Sequence, residues 1–486
     1  AKLPKYQRTG EPMNNTDSPV MTGMAKIDLP DLELGDGPWP CTVLLDLVGR
    51  PDRLDIRFPM DRDVILDRRL TPEAPHGQIC VVTFADGTTL EANVQLFSGW
   101  LGDWMKDGEM CDEMAGRFEL GGSIWRGDPS IKTELWRFKL TNVRLHRADH
   151  VTEKVTEHGT GYVRKVVRFH VAGRDWTLVD DFADKWKAIN KGDMAHPLLT
   201  ARLETPYRDG DMREDLEDLA TDIEALLRFG LSRAVTWISS ARVAAEDVME
   251  ECHRNRWTSP FGISRSPIND GFEPGQLKMF IETTYPNYSA DRDWFHRSLL
   301  LYLISQIGSH LEIRMALHNT LLDRISDKIL GKDEGKEIDD DLSGRIDKDF
   351  KKRLHTLLSE LSPMWTKEHS RRLVGAISNW NENPSFPGGV ERAAERLDIW
   401  PLEKRQLAKR HKLIHRGVYD DGDGTSVYDY WKAIECMVVM MLLRMLGYSG
   451  PFYHVAFGHH AVILKDYLRA GTMRPPYPVQ TVPDEK

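Results

Sequence analysis

The hydrophobic pattern of this chain changes its period near the middle, and that change constrains the fold more than any single motif does. Between residues 41 and 182, apolar residues alternate or cluster in short runs separated by turn residues, which is typical of strands. From residue 213 onward they recur at spacings of three and four, as on one face of a helix. We therefore predict an α+β protein in which a β-rich N-terminal region precedes a helical C-terminal region.

The strand prediction depends on six runs: CTVLLDLV, RLDIRF, QICVVTF, TLEANVQLF, ELWRFKLTNVRLH and YVRKVVRFHV. Asp86 and Gly87 lie between the third and fourth runs and predict a hairpin, because glycine adopts the positive φ that a two-residue turn requires. Several such strands favour a sandwich or a barrel. The tryptophans of this region are expected in the core rather than in a ligand site: Trp100, Trp104, Trp125, Trp136 and Trp176.

Helical periodicity begins at 213–231, and in the mixed stretch that follows, AVTWIS and LKMFIETT favour strands. The predicted helices beyond it are 291–311, 312–330, 346–361, 367–380, 389–397, 402–415, 426–447 and 455–469. Short polar loops between such helices favour an antiparallel bundle. We predict four parts: a β-rich domain of residues 1–210, a mixed bridging subdomain of 211–290, a helical domain of 291–470 and a flexible or surface-bound tail of 471–486.

Composition excludes several classes of protein. With 41% hydrophobic and 29% charged residues, the chain is expected to fold rather than to remain disordered. Its longest uninterrupted apolar run, residues 436–443, is shorter than the ~18 residues that a membrane-spanning helix needs. The charged, proline-containing N-terminus differs from a secretory signal, so we expect a cytoplasmic protein. Five cysteines without a CxxC pair predict buried thiols rather than disulfides or a zinc site.

The strongest candidate for chemistry is the basic segment, residues 403–416, with the sequence EKRQLAKRHKLIHR. It has a formal charge of +5, whereas the net charge of −10 is shared evenly by the two halves of the chain. On charge alone, cations at a solvated helix end are the simpler explanation. The order of the residues favours a functional site. Arg410 and His415 form R-x4-H, His411 follows the arginine directly, and Gly417 suits a helix end.

The letters RHKLIH resemble the signature of the HEPN ribonucleases: an arginine, a polar residue, three further residues and a histidine. A β-rich region followed by a helical bundle also resembles the ApeA branch of bacterial anti-phage proteins. The HEPN resemblance covers 291–469 as architecture, and its specific part is 410–415, where His411 replaces the commoner asparagine. It implies a metal-independent endoribonuclease that acts in abortive infection on cellular RNA such as tRNA. The β-rich region would sense infection or restrain the nuclease, under a phage-derived trigger.

The resemblance implies catalytic roles for three residues. His415 is expected to act as general acid or base, because the histidine pKa lies near the working pH. Arg410 is expected to bind the phosphate and stabilise the transition state through its planar guanidinium, with His411 as a positioning group. The expected products are a 2′,3′-cyclic phosphate and a 5′-hydroxyl, with no metal or other cofactor. The expected RNA-binding residues are Lys404, Arg405, Lys409, Lys412 and Arg416.

The spacing within the motif also bears on assembly. A separation of five residues places Arg410 and His415 about 140° apart around an ideal helix, so one helix does not present both squarely on one face. In HEPN proteins two motifs usually face each other across a dimer. The resemblance therefore implies a homodimer or higher homo-oligomer with a composite active site. The apolar stretch 431–446 is expected to be mostly bundle core, with any excess serving the dimer.

Other interpretations stay open. His411 and His415, four residues apart, match a metal pair but lack a third ligand. The group His454, His459 and His460 is more typical of capping or surface residues, although contact with RNA is an alternative. Asp421 to Gly424 resembles a calcium loop but lacks the required glycine and glutamate. The rival function is a catalytically silent HEPN-like protein that binds RNA or another ligand.

Overall fold

The structure is a computed structural model. It describes the following residues: 20–26, 38–44, 52–59, 78–85, 87–101, 105–106, 109–110, 113–127, 132–145, 153–157, 160–180, 199–244, 247–254, 256, 266–268, 275–307, 310–331, 356, 386–409, 426–458 and 460–479. They divide into two units by their contacts. The first unit comprises Ala1–Ile263 and Asp270–Glu282, and the second comprises Ser264–Asn269 and Thr283–Lys486.

Strands dominate the first unit and helices the second, as the change of period predicts. The strands are β1 (Val20–Lys26), β2 (Trp39–Leu44), β3 (Asp52–Pro59), β4 (Gln78–Phe84), β5 (Thr89–Leu101), β6 (Met105–Lys106), β7 (Glu109–Met110), β8 (Glu113–Arg126), β9 (Leu135–Thr141), β10 (Glu153–Glu157), β11 (Thr160–Val171), β12 (Arg174–Asp180), β13 (Leu199–Pro206), β14 (Thr236–Ala244), β15 (Asp247–Arg254), β16 (Pro451–Tyr453) and β17 (Ala461–Ile463). The helices are α1 (Arg213–Leu231), α2 (Gln276–Ala290), α3 (Arg292–Ile307), α4 (Leu311–Leu330), α5 (Phe386–Arg396), α6 (Lys404–Ala408) and α7 (Val427–Met445).

Six strands of the first unit close into an antiparallel barrel. Its order is β8-β3-β2-β1-β4-β5, and β5 pairs again with β8. Alternate residues along these strands point inward, as a period of two requires. They form one apolar cluster that includes Val43, Leu54, Ile56, Val82, Leu90, Val94, Phe118 and Trp125. The barrel is one of the two architectures that the strand pattern favoured.

The long strand β8 joins the barrel to a wider sheet. Residues 113–120 of β8 pair with β3, whereas 122–126 pair with β15. Gly121 lies where the partner changes, and a Cβ there would lie 2.2 Å from Nε2 of Gln95. The sheet continues from β15 through β14, β9, β13, β12 and β11 to β10. Residues of the predicted bridging subdomain, 211–290, thus contribute β14 and β15 to this sheet.

The predicted hairpin at Asp86 and Gly87 is present, with a longer turn than expected. Gly87 has φ +83°, its N–H donates to the Phe84 carbonyl at 3.0 Å, and the Phe84 N–H donates to the Thr88 carbonyl at 2.9 Å. The loop between these bonded residues therefore has three residues instead of two. Asp86 itself lies outside the described residues.

The predicted burial of tryptophan and cysteine side chains is confirmed wherever the structure describes them. Trp125, Trp136 and Trp176 are buried. The Trp100 side chain and Trp104 lie outside the described residues. The four described cysteines, Cys41, Cys80, Cys252 and Cys436, are free and buried, and Cys111 lies outside the described part.

The helical unit is organised around α4, which contacts α3, α5 and α7. Leu321, Leu322 and Ile325 of α4 are fully buried. Every residue of α7 from 433 to 443 is buried as well, which confirms the prediction that this stretch is bundle core. These residues therefore offer no spare apolar face for a dimer. The predicted helices 346–361 and 367–380 lie outside the described residues, except for the helical residue Thr356.

Two secondary-structure predictions are wrong. LKMFIETT belongs to the helix α2 rather than to a strand: Leu277, Phe280, Ile281 and Tyr288 are buried at helical spacings. The run of large apolar residues and Pro286 made the segment look non-helical.

Instead of the predicted helix, 455–469 contains two 3₁₀ turns, Val455–Phe457 and Leu464–Tyr467, and the strand β17, which pairs with the preceding strand β16 in a short ribbon. Gly458, at φ +78°, ends the first turn. Phe457 packs between Phe452 and Tyr467, a tertiary cluster that a local pattern does not predict.

The tail was predicted to be flexible or surface-bound, and its described part, residues 471–479, is bound. Val479 bridges Leu402 in antiparallel fashion, and the buried Tyr477 donates from its hydroxyl to the Trp400 carbonyl at 2.8 Å. Burial raises the pKa of the Tyr477 hydroxyl, with the nearby Cys436 as a further cause, so this donor stays protonated. The tail therefore fixes the chain just before the basic segment.

Candidate functional site

The structure describes only the first part of the basic segment. The helix α6 spans Lys404–Ala408, and Lys409 follows as its C-cap. The predicted helix 402–415 is therefore confirmed for 404–408. The other residues of the predicted site lie outside the described part of the chain: Arg410, His411, Lys412, His415 and Arg416.

Two cations of α6 face solvent. The Lys404 side chain is 60% exposed, and its Nζ lies 3.0 Å from Oε2 of Glu391. The Arg405 side chain is 68% exposed and pairs with Glu403. Exposed ion pairs of this kind contribute little free energy, so phosphate oxygens can replace the carboxylates at small cost. Lys409 is half-buried at the end of the helix.

The opposite side of α6 is anchored. Gln406 and Leu407 are buried, while the Glu403 N–H donates to the Pro478 carbonyl at 3.3 Å. Upstream, Ile399 bridges Leu468. The tail and this anchored face hold the basic segment at its start.

At the other end, the helix α7 begins with a well-formed cap. Ser426 Oγ accepts the Asp429 N–H at 3.1 Å and donates to the Asp429 carboxylate at 2.7 Å. Asp429 also lies 2.9 Å from Nζ of Lys432. The hydrogen bonds from Lys432 and Ser426 lower the pKa of the Asp429 carboxyl, which is therefore ionised near neutral pH.

An exposed aromatic residue lies in the first turn of this helix. The Tyr428 side chain is 46% exposed, although its neighbour Tyr430 is fully buried. The Tyr428 and Trp431 ring centroids lie 5.3 Å apart with planes inclined by 36°. Lys432 Nζ lies 4.6 Å from the Tyr428 ring centroid, a cation–π distance. The sequence pattern places all of these aromatics on a core helix and does not separate the exposed one from the buried ones.

A buried polar cluster lies inside the helical unit. Gln306 Nε2 donates to Glu435 Oε1 at 3.0 Å, and Ser305 Oγ lies 2.8 Å from His318 Nε2. His454 Nε2 is 3.9 Å from Glu435 Oε2, too far for a hydrogen bond, and neither atom has another hydrogen-bond partner. The cluster links α3, α4, α7 and the segment that follows α7.

Burial sets the protonation of this cluster. Desolvation lowers the pKa of His318 to about 4, so the buried ring is neutral at pH 7. Burial opposes the charge on Glu435, but the adjacent His454 and His318 rings and the hydrogen bond from Gln306 outweigh it and lower the pKa of this carboxyl. His454 Nδ1 accepts the Ala456 N–H at 3.1 Å, which confirms the capping prediction for this residue. Because His454 is buried, its ring is not presented to RNA. His460 is exposed, and His459 lies outside the described residues.

The strand-rich unit contains a second charged cluster. Glu251 Oε1 lies 2.5 Å from Lys139 Nζ and accepts a hydrogen bond from Ser239 Oγ at 2.7 Å. Burial opposes the charge on Glu251, yet Lys139, His253 and Ser239 together lower the pKa of the carboxyl to about 2. Glu251 is thus fully satisfied, which is typical of a structural ion pair.

Within the described ranges, no group of three or more His, Cys, Asp or Glu side chains is placed to hold a metal ion. No helix among them is long and apolar enough to cross a membrane. No protein-family model, curated protein or solved structure matches this chain.

Proposed function

We propose that this protein is a metal-independent endoribonuclease of the HEPN type. The observation that carries the proposal is the R-x4-H pattern of Arg410 and His415 within a segment of charge +5. The described start of this segment, α6, and the helix that follows the segment, α7, belong to the helical unit. An arginine and a histidine on such a segment suit RNA cleavage better than any other reaction that the sequence suggests.

The chemistry follows from the residue types. The ribose 2′-oxygen attacks the adjacent phosphorus and the bond to the 5′-oxygen breaks, which leaves a 2′,3′-cyclic phosphate and a 5′-hydroxyl. Neutral His415 can take the 2′-hydroxyl proton, or its imidazolium can protonate the leaving 5′-oxygen. Arg410 can hold the non-bridging oxygens while negative charge develops on them, with His411 positioning the reacting groups.

The exposed cations of α6 support a role in RNA binding. Lys404 and Arg405 face solvent, and among the described residues they pair with the partly exposed carboxylates of Glu391 and Glu403. Together with Lys409, Lys412 and Arg416 they supply positive charge along the segment. Contacts of this type release counterions from the RNA, so binding is expected to weaken as salt rises.

The wider proposal concerns assembly and biological role. Two copies of the motif would form a composite site across a homodimer or higher homo-oligomer, which removes the difficulty of the 140° separation. The nuclease would act in the cytoplasm on cellular RNA, with tRNA as one substrate, and abort phage infection. The strand-rich unit would sense infection or hold the nuclease at a low basal rate until a phage-derived trigger appears, since unrestrained cleavage would kill the host.

The test is cleavage of total tRNA in excess EDTA by the purified protein and by Arg410→Ala and His415→Ala variants, with end-group analysis. We expect cleavage with cyclic phosphate ends by the wild-type protein and none by either variant. Arg297→Ala and His310→Ala are matched controls, because both residues are exposed and lie outside the motif. A folded wild-type protein that leaves RNA intact but binds it, with binding retained in both variants, would favour the silent binding protein instead.

A further inference from the structure

We propose that Tyr428 is a stacking residue for a nucleobase of the bound RNA. This inference rests on the proposed function and adds a binding residue that lies outside the R-x4-H motif. The feature behind it is the aromatic platform, defined as Tyr428 with its neighbours Trp431 and Lys432. Aromatic side chains hold single-stranded RNA by stacking on bases, and they do so for any base because every base has a π-face.

The platform is exposed, and its ring contacts neighbours on the same helix. Tyr428 retains 46% exposure, while Trp431 beside it is 9% exposed. Among the described residues, Trp431 and Lys432 contact the ring, and they follow it by three and four residues along α7. The cap formed by Ser426 and Asp429 fixes the first turn of the helix. A ring held in this way loses little conformational entropy when a base stacks on it.

Charge at this position favours a base over a phosphate. The Lys432 side chain is only 27% exposed, and its ammonium contacts both the Asp429 carboxylate and the Tyr428 ring, so it is less accessible to a phosphate than Lys404 or Arg405. Ser426 already satisfies the Asp429 N–H of the first turn. The group that stays exposed at this position is therefore the face of an uncharged ring, Tyr428.

The position in the chain suits contact with RNA at the cleavage site. Tyr428 lies 13 residues after His415, at the start of the helix that follows the motif. The motif and the platform thus lie at the two ends of one connecting segment. We expect the exposed cations of α6 to hold the RNA backbone and Tyr428 to hold a base, a division of roles common in single-strand binding.

The test measures binding rather than cleavage. Short 2′-O-methyl RNA oligonucleotides, which lack the attacking hydroxyl, are titrated against the full-length protein and against Tyr428→Ala, Tyr428→Leu and Tyr428→Phe. We expect Tyr428→Ala and Tyr428→Leu to weaken binding about tenfold or more, and Tyr428→Phe to keep the wild-type affinity. An abasic oligonucleotide of the same length should bind wild-type and Tyr428→Ala proteins equally, because no base is available to stack.

Several outcomes would overturn the inference. One is an unchanged affinity of Tyr428→Ala, and another is an equal loss with the abasic oligonucleotide. A third is loss of the dimer by Tyr428→Ala in light scattering with RNA affinity unchanged, which would make the platform a contact between copies of this chain. Thermal unfolding of each variant, with circular dichroism, identifies any variant that misfolds, and Tyr428→Leu then replaces Tyr428→Ala as the decisive one.

The binding test and the nuclease test fail independently. Cleavage of tRNA combined with an unchanged affinity of Tyr428→Ala would leave the nuclease intact and remove the stacking role. Base-dependent loss of binding in Tyr428→Ala without cleavage by the wild-type protein would support the stacking role and remove the nuclease. Absence of any RNA binding by the folded wild-type protein would remove both.

Discussion

The free-energy cost of removing a charge partner differs between the buried and the exposed ion pairs of this protein. Glu224 on α1 is fully buried and pairs with Arg228 at 2.5 Å and Arg256 at 2.8 Å. It also accepts the Trp237 N–H at 2.8 Å, so it joins α1 to β14. The exposed pair of Glu91 and Arg126 on the barrel has a similar 2.7 Å contact in water.

We predict that Glu224→Ala destabilises the strand-rich unit by about 3–5 kcal/mol, because the buried Arg228 and the half-buried Arg256 lose their counter-charge. The matched control Glu91→Ala removes an exposed partner and should cost about 1 kcal/mol or less. Urea unfolding followed by tryptophan fluorescence measures both. A loss for Glu224→Ala no larger than that for Glu91→Ala would contradict the assignment of a tight buried network.

A second prediction at this scale concerns acid. The pKa of His318 is about 4 in the fold and ~6.5 in an unfolded chain, so folding favours the neutral ring. This contribution is complete above pH 6.5 and is lost as the pH falls toward 4. At ~1.4 kcal/mol per pKa unit it amounts to about 3 kcal/mol.

The measurement is the melting temperature of the helical unit between pH 7 and pH 4, for the wild-type protein and for His318→Gln. The wild-type protein should lose stability steadily through this window, and the variant should show a flatter profile. Glu435 adds a further loss at the acid end, because its lowered pKa makes its contribution disappear as it protonates. Parallel profiles for the two proteins would show that His318 does not titrate as described.

Among the elements, the tail and α6 depend on each other. Residues 477–479 contact 400–403 through the Tyr477 hydroxyl, the Pro478 carbonyl and the Val479 bridge. The helix α6 has only five residues, too few for stability in isolation. Its order therefore depends on these contacts and on its buried residues Gln406 and Leu407.

We predict that removal of residues 472–486 increases amide hydrogen exchange across 399–408, whereas removal of 480–486 leaves that exchange close to wild type. The first deletion takes away the contacts from Tyr477 to Val479, and the second keeps them. Tyr477→Phe should have a smaller effect, about 1 kcal/mol, because it removes one hydrogen bond. Equal exchange in all of these proteins would refute the tail's role in holding α6.

Elements also show where local pattern misleads. LKMFIETT is rich in large apolar and threonine residues, yet the wider window around it has helical spacing, and the helix α2 results. In 455–469 the reverse happens: helical spacing is present, but the aromatic cluster of Phe452, Phe457 and Tyr467 stabilises a ribbon with tight turns. For α2 a wider window contains the deciding pattern, whereas for 455–469 packing against Phe452, outside the window, contributes to the outcome.

At the scale of the whole molecule, the proposed composite site has a distinctive consequence. If Arg410 from one subunit works with His415 from the other, a dimer of one Arg410→Ala and one His415→Ala subunit contains one intact site. Each variant alone contains none. Because residues 433–443 of α7 are buried within the chain, such a dimer must use other surfaces.

We predict that mixing inactive Arg410→Ala and His415→Ala proteins under conditions of subunit exchange restores a measurable fraction of the RNA cleavage. Light scattering of the same samples verifies that dimers are present. As a control, two separately expressed batches of one variant are mixed in the same way and stay inactive. Dimers without restored cleavage would place both catalytic residues of each site on a single subunit.

The sequence by itself determined the order of a β-rich and a helical region, the hairpin at Gly87, the burial of Trp125, Trp136 and Trp176, and the core character of α7. Local periodicity and turn chemistry encode these features, so a window of a few residues is enough. The sequence also indicated the basic segment, and the catalytic roles of its Arg410 and His415 are part of the proposed function.

Only the tertiary structure decided which distant segments meet. It pairs one strand, β8, with β3, β5 and β15, and it brings Val479 back to Leu402. It also buries Tyr430 and leaves Tyr428, two residues earlier, in solvent. The physical reason is common to all three: pairing and burial depend on side chains far apart in sequence, and a local pattern contains no information about which of them will pack together.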